Sequence, residues 1–251
     1  MIILTLKLVL TPLLIAVASL VRHRWSGSLG GLIAGLPLTS APISAFLALE
    51  QGPAFAARSA TGTLLGVVAM SGFCAVYVLS AKRLSWPLST ALASAACAAI
   101  RVAVSLVPQN LAIAAVLAFP TLPARVFIIG QPASDLPVLP PPWWDTPARM
   151  VVAAGAVILI TAAAEIIGST WSGLLATLPV FACVMGVFSH RHGGHRAAHG
   201  ALRGIAVGAL GSAAFFLVVG TLVEHVDLVV SYVVTVVFAL GVAGLSYAAF
   251  S

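Results

Sequence analysis

The chain has 251 residues, 61% of them hydrophobic and 7% charged, and its runs of Gly, Ala, Val and Leu are longer than a soluble core can bury. The net charge of +6 comes from basic residues scattered at the ends of apolar blocks, without the aromatic-interleaved stripe of a nucleic-acid-binding module, so nucleic acid is not an expected partner. What remains is an integral membrane protein; the runs lack polar alternation at every second residue, so the spans are helices rather than barrel strands.

Nine apolar blocks follow in chain order: 3–22, 29–49, 57–80, 86–107, 109–129, 147–167, 170–189, 201–222 and 228–250. The first carries "AVAS", which looks like a signal-peptide cleavage site, but Arg22 and Arg24 follow the apolar run instead of preceding it, and it is read as a mature helix. The second and seventh blocks hold "GLIAGLPLTS" and "GLLATLPVFA", the same glycine-flanked Leu-Pro in two hydrophobic spans. Pro37 lies about 12 Å into its span, close to the bilayer centre, and Pro179 is expected at a similar depth from the opposite face. Each proline removes a backbone donor and frees a carbonyl, here that of Ile33 or Leu175, so the helix around Leu38–Ala41, where Pro42 follows, is expected to be kinked or unwound. Gly35, Pro37, Thr39, Ser40 and Ser44 in the first half, with Thr177 and Pro179 in the second, are the candidate substrate-binding residues.

Further candidates come from charge. Arg101, roughly 9 Å inside the fourth span, either snorkels to the surface or acts as counter-ion to an anionic substrate or as partner of Glu50 or Glu165. Glu50 opens the turn "EQGPAF" and Glu165 precedes "IIGSTWSGLL"; both are candidate coupling residues. Cys74, Cys97 and Cys183 share no metal-ligand spacing and read as small buried hydrophobes. The run "SHRHGGHRAAHG" holds His190, His192, His195 and His199, but without carboxylate or thiolate it reads as a basic cytoplasmic loop rather than a metal site. The chain has no HExxH, GxSxG or P-loop and only six acidic residues, so neither enzymatic activity nor a cofactor is expected.

A shift of 142 residues relates the halves. It pairs Gly31 with Gly173, Leu36 with Leu178, Pro37 with Pro179, Phe46 with Phe188, Gly52 with Gly194, Phe73 with Phe215 and Lys7 with Arg149. The expected fold is therefore all-α and polytopic, with nine transmembrane helices in two four-helix repeats. Residues 1–108 form the first repeat, 109–146 a connector helix with a Pro-rich linker, and 147–251 the second. Five crossings separate equivalent helices, so the second copy is expected to be inverted, as in secondary transporters. Nine of the twelve Lys and Arg residues fall on one side of this arrangement, which places the N-terminus outside and the C-terminus in the cytoplasm.

The run of residues 31–66 resembles the GlpM family of small bacterial inner-membrane proteins, on Ala34, Gly35, Leu36, Pro37, Leu38, Pro42 and Arg58. The likeness would cover each half once, implying a fused tandem version in a bacterial inner membrane and a loose link to exopolysaccharide production. The family's Phe-Pro pair is replaced here by "SAP", and the second copy lacks the later proline. The four-plus-one-plus-four arrangement is also similar in architecture to the drug/metabolite transporters. The leading expectation is a secondary transporter or exporter of a small molecule or ion in the lipid bilayer; an accessory protein of envelope polysaccharide biosynthesis, a lipid flippase and a homodimer stay open.

Overall fold

The computed structural model describes residues 36–37, 40–131, 144–167 and 179–250. Seven helices and no strand occur among them: α1 (Ser40–Gln51), α2 (Pro53–Ala81), α3 (Trp86–Ser105), α4 (Leu111–Ile129), α5 (Asp145–Ile167), α6 (Val180–Leu222) and α7 (Leu228–Phe250). Five of these, α2, α3, α4, α6 and α7, are long and apolar enough to cross a membrane. The outward faces of α3, α4 and α7 expose Leu88, Leu92, Val116, Phe127, Val233 and Val237, an apolar exterior that suits lipid rather than water.

Local chemistry sets the boundaries. Pro53 stands in the first turn of α2, where a missing N–H costs nothing. Asn110 caps α4 by accepting from the Ile113 amide at 2.8 Å, and Asp227 accepts from Val229 at the start of α7 at 2.9 Å. Gly52 separates α1 from α2 and Gly194 divides α6 into a first limb, residues 180–193, and a second, residues 195–222; their φ values of 89° and 69°, with ψ near 180°, are a conformation open in practice to glycine alone.

Nine separate spans are not what the described residues contain. The block 3–22 and residues 170–178 lie outside them, and the described parts of the expected spans 170–189 and 201–222 fall in the two limbs of α6, on either side of the turn at Gly194. The histidine-rich segment, expected as a loop, is therefore helical on both sides of that glycine. Its polarity reads as a loop in sequence, but a helix that continues beyond the lipid tolerates polar faces.

α2 and α6 form the centre. Ala56, Ala60, Leu64 and Leu65 of α2 share a core with Ala209, Ala213, Phe216 and Val219 of α6, whereas Phe73, Tyr77 and Ala81 pack with Ala198, Leu202 and Ile205. The two helices therefore run antiparallel. α3 packs on α2 and α7 on α6, while α4 lies against both central helices.

Candidate functional site

Both described Leu-Pro prolines stand immediately ahead of a helix. The Pro37 carbonyl accepts from the Ala41 amide at 2.7 Å, and the Pro179 carbonyl accepts from the Cys183 amide at 2.8 Å. Pro179 is the residue that precedes α6, and Pro37 supplies the acceptor for an amide in the first turn described for α1; the residues ahead of each proline lie outside the described set. Leu36 and Pro37 form a bend and Ser40 and Ala41 are helical, while Leu38 and Thr39, half of the stretch expected to be kinked or unwound, lie outside the described residues. Pro42 follows Ala41 inside α1 and has no N–H to continue the ladder that the Ala41 amide begins. Ile33 and Leu175, whose carbonyls were expected to be freed, lie outside the described residues.

Their depth follows from packing. The limbs of α6 fold back on each other at Gly194, with a Cβ on Gly186 only 3.2 Å from Leu202. Counting about 22 Å from Gly194 along each limb sets Pro179 level with Ala209, near the middle of the second limb. Leu36 packs at Gly211, two residues further on, where an added Cβ would stand 3.2 Å from its Cδ2. Both helix starts therefore reach the same level. Leu36 meets α6 next to α7, because the same Gly211 position is 2.9 Å from the Ala243 methyl and 3.1 Å from the Ala239 carbonyl.

Of the side chains expected between them, Ser44 is buried and shares a 2.7 Å hydrogen bond with the Tyr232 hydroxyl, linking α1 to α7. Gly35, Thr39 and Thr177 lie outside the described residues, as does the side chain of Ser40. Glu50 is exposed at the end of α1. Glu165 belongs to α5, with its side chain outside the described set. Arg101 turns from α3 to α2 and donates from Nη1 to the Gly62 carbonyl at 3.2 Å.

Other arginines near the ends of the apolar blocks also sit inside helices. Arg125 reaches from α4 to the Val68 carbonyl and, at 2.7 Å, the Ser71 hydroxyl; Arg203 donates to the Phe250 carbonyl at the end of α7. Most developed is a cluster where α5 begins. Asp145 and Arg149, each 1% exposed, form a 2.7 Å ion pair, and Arg149 also lies 3.4 Å from the Met185 sulfur and 5.2 Å from the Phe188 ring centre. His192 Nδ1 stands 3.0 Å from Asp145 Oδ1 and 3.0 Å from the Phe188 carbonyl, with Trp144 against its ring. This cluster ties α5 to the first limb of α6. The i,i+4 spacing of "DTPAR" was its signal in sequence, hidden because Asp145 reads there as part of the linker.

Among the described residues no three His, Cys, Asp or Glu side chains gather into a metal site. Comparison with protein-family models, with curated proteins and with solved structures finds no match.

Proposed function

We propose that the protein is a secondary transporter or exporter of a small solute, working by alternating access at a midplane site between α1 and the first limb of α6. The observation that carries this reading is the pair of Leu-Pro prolines at one common depth whose carbonyls accept equivalent hydrogen bonds from Ala41 of α1 and Cys183 of α6. A helix start at that depth presents unpaired N–H groups and the positive end of a dipole where hydrocarbon would otherwise lie, the device by which broken helices bind solutes.

An inverted repeat belongs to the same proposal and has several supports. At the 142-residue shift Gly52 meets Gly194 and the start of α3 meets the start of α7. The buried faces correspond as well: Ser89, Ala93, Cys97 and Val104 of α3 against Ser231, Thr235, Ala239 and Ser246 of α7. Even the turns agree, since the Leu84 amide donates to the Ser80 carbonyl and the Val226 amide to that of Leu222, at 2.9 and 3.0 Å. The antiparallel course of α2 and the second limb of α6 gives these equivalent helices opposite directions. α4, which packs against both, would serve as the connector.

Sidedness follows from charge. Lys82, Arg83, Arg149, Arg191, Arg196 and Arg203 cluster at the end of the bundle where α2 finishes and α6 turns, whereas Glu50, Glu224 and Asp227 lie at the other. The positive-inside rule makes the basic end cytoplasmic, with the end of α7 on that side, in a bacterial inner membrane if the GlpM-like reading of residues 31–66 holds.

A second reading is a non-transporting accessory protein of envelope polysaccharide biosynthesis. It is favoured by the tight seating of Leu36 and α7 on Gly211, which leaves no room for a methyl group. Flux across proteoliposomes with a panel of metabolites separates the two. Transport of at least one solute class, lost on cross-linking α1 to α7, is expected; a folded chain that moves none of the panel and copurifies with another envelope protein contradicts it.

A further inference from the structure

The sequence from Gln51 to Ser134 contains no Asp or Glu, so α2, α3 and α4 pack together with cations and no anions. Three of those cations stand at successive levels beside α2. At the end of the bundle where α2 begins, a cleft of about 270 Å³ is lined by Ala57, Arg58, Thr61, Gly62, Gln109 and Gly220. Arg101 stands next, on the Gly62 carbonyl, with its Nη1 3.4 Å from where a Gly66 Cβ would be. Arg125 comes last, on the Val68 carbonyl and the Ser71 hydroxyl. Val68 is about 20 Å from either end of α2, so this guanidinium is held near the middle of the helix. Both inner arginines lie within electrostatic reach of the Cys97 thiol.

A structural stitch does not account for this pattern. Donating to a carbonyl needs an N–H and not a full charge, and a neutral amide could supply it, whereas arginine at the bilayer centre costs about 2.5–3.5 kcal/mol on insertion scales. No carboxylate among the described residues comes within ion-pair distance of Arg58, Arg101 or Arg125. Among the described residues their bonds use a single nitrogen of each inner guanidinium, which carries five N–H donors in all. The glycines at Gly62 and Gly66 keep α2 bare beside Arg101, and a Cβ on Gly62 would meet nothing within 4 Å.

We propose that the α2–α3–α4 junction is an anion path, with Arg58 and Gln109 at its mouth, Arg101 within and Arg125 as its deepest station. Its ligand is a small solute bearing an oxyanion, carboxylate or phosphate in type, because a cleft of 270 Å³ falls just below the range of drug-sized pockets. The inference goes beyond the transport reading: this path is separate from the site proposed between α1 and the first limb of α6, and its ligand class is its own.

The test uses the full chain in proteoliposomes with Gly62→Cys and Ser71→Cys as separate reporters, each compared with the unsubstituted chain for background from Cys74, Cys97 and Cys183. Three water-soluble methanethiosulfonates are applied: an anionic sulfonate, a cationic trimethylammonium and a neutral sugar conjugate. The anionic reagent is expected to modify Gly62→Cys about tenfold faster than the cationic one, and Arg58→Gln or Arg101→Gln to reduce that preference. Ser71→Cys is expected to react with the anionic and neutral reagents and to lose the anionic preference on Arg125→Gln. Slowing by dissolved sulfate identifies a free oxyanion as the ligand, and slowing by phosphatidylglycerol vesicles a lipid headgroup. Equal rates for all three reagents would overturn the anion path while leaving a wet transporter. Labels that enter neither site in a folded, monodisperse chain overturn the anion path as a dry junction, and the midplane site between α1 and α6 is then judged by its own labelling.

Discussion

Asp145 and Arg149 are stable at this depth only as partners. Removing one charge leaves the other buried without compensation, at a cost typically of about 3–5 kcal/mol, whereas replacing both with apolar residues of similar volume is often neutral. Asp145→Asn is therefore expected to lower stability by about 3 kcal/mol, and the double variant Asp145→Leu with Arg149→Met to recover most of it. Thermal unfolding in detergent, followed through light scattering or a thiol-reactive dye, measures both. A double variant no better than the single one would show that packing against Met185 and Phe188, rather than charge balance, holds the cluster. Such partners were only partly legible in sequence. Arg101 reads in sequence as an intramembrane cation and is half-buried against α2; the reach of Arg125 back to Val68 and Ser71 depends on how α4 lies across α2, which sequence does not show.

Glycine carries the element-scale argument, and its two uses make opposite predictions. Gly194 holds a backbone conformation that an L side chain rarely adopts, and nothing within 4 Å would meet its Cβ, so any loss in Gly194→Ala comes from the backbone alone. That loss should be about 2 kcal/mol. Gly211 has ordinary helical geometry but a Cβ would come 2.9 Å from the Ala243 methyl, and Gly211→Ala should cost about 1–3 kcal/mol by overpacking α7 and Leu36. Gly62→Ala, helical and facing open space, should be neutral or stabilising by up to about 1 kcal/mol. Chemical denaturation of the three variants in one detergent gives the order. A Gly62→Ala variant as damaged as Gly211→Ala would remove the basis for distinguishing open from closed glycines. The helices themselves were legible because apolar blocks ended at Pro, Gly and charge; α7 has the bounds read from sequence, Leu228 to Phe250. The first limb of α6 was legible only as far as residue 189, since its polar end gave no apolar signal and only Gly194 marks the turn.

For the whole molecule, the self-match at 142 residues was visible in sequence, but the route by which α2 and the second limb of α6 form the centre was not, because composition does not reveal which apolar helix is surrounded by protein. Sidedness is directly testable. A cysteine at Arg83 should resist an impermeant reagent added to intact cells and one at Glu224 should react; the reverse result would invert the bundle. The central claim is that α1 and the first limb of α6 start at a shared, wet level within the membrane. Its most direct measurement is two-sided labelling of Thr39→Cys, Ser40→Cys and Thr177→Cys in oriented vesicles. The account predicts that each position reacts with an impermeant thiol reagent from either face, with a cross-link across one end abolishing reaction from that face alone. Silence from both faces in a folded chain would contradict it.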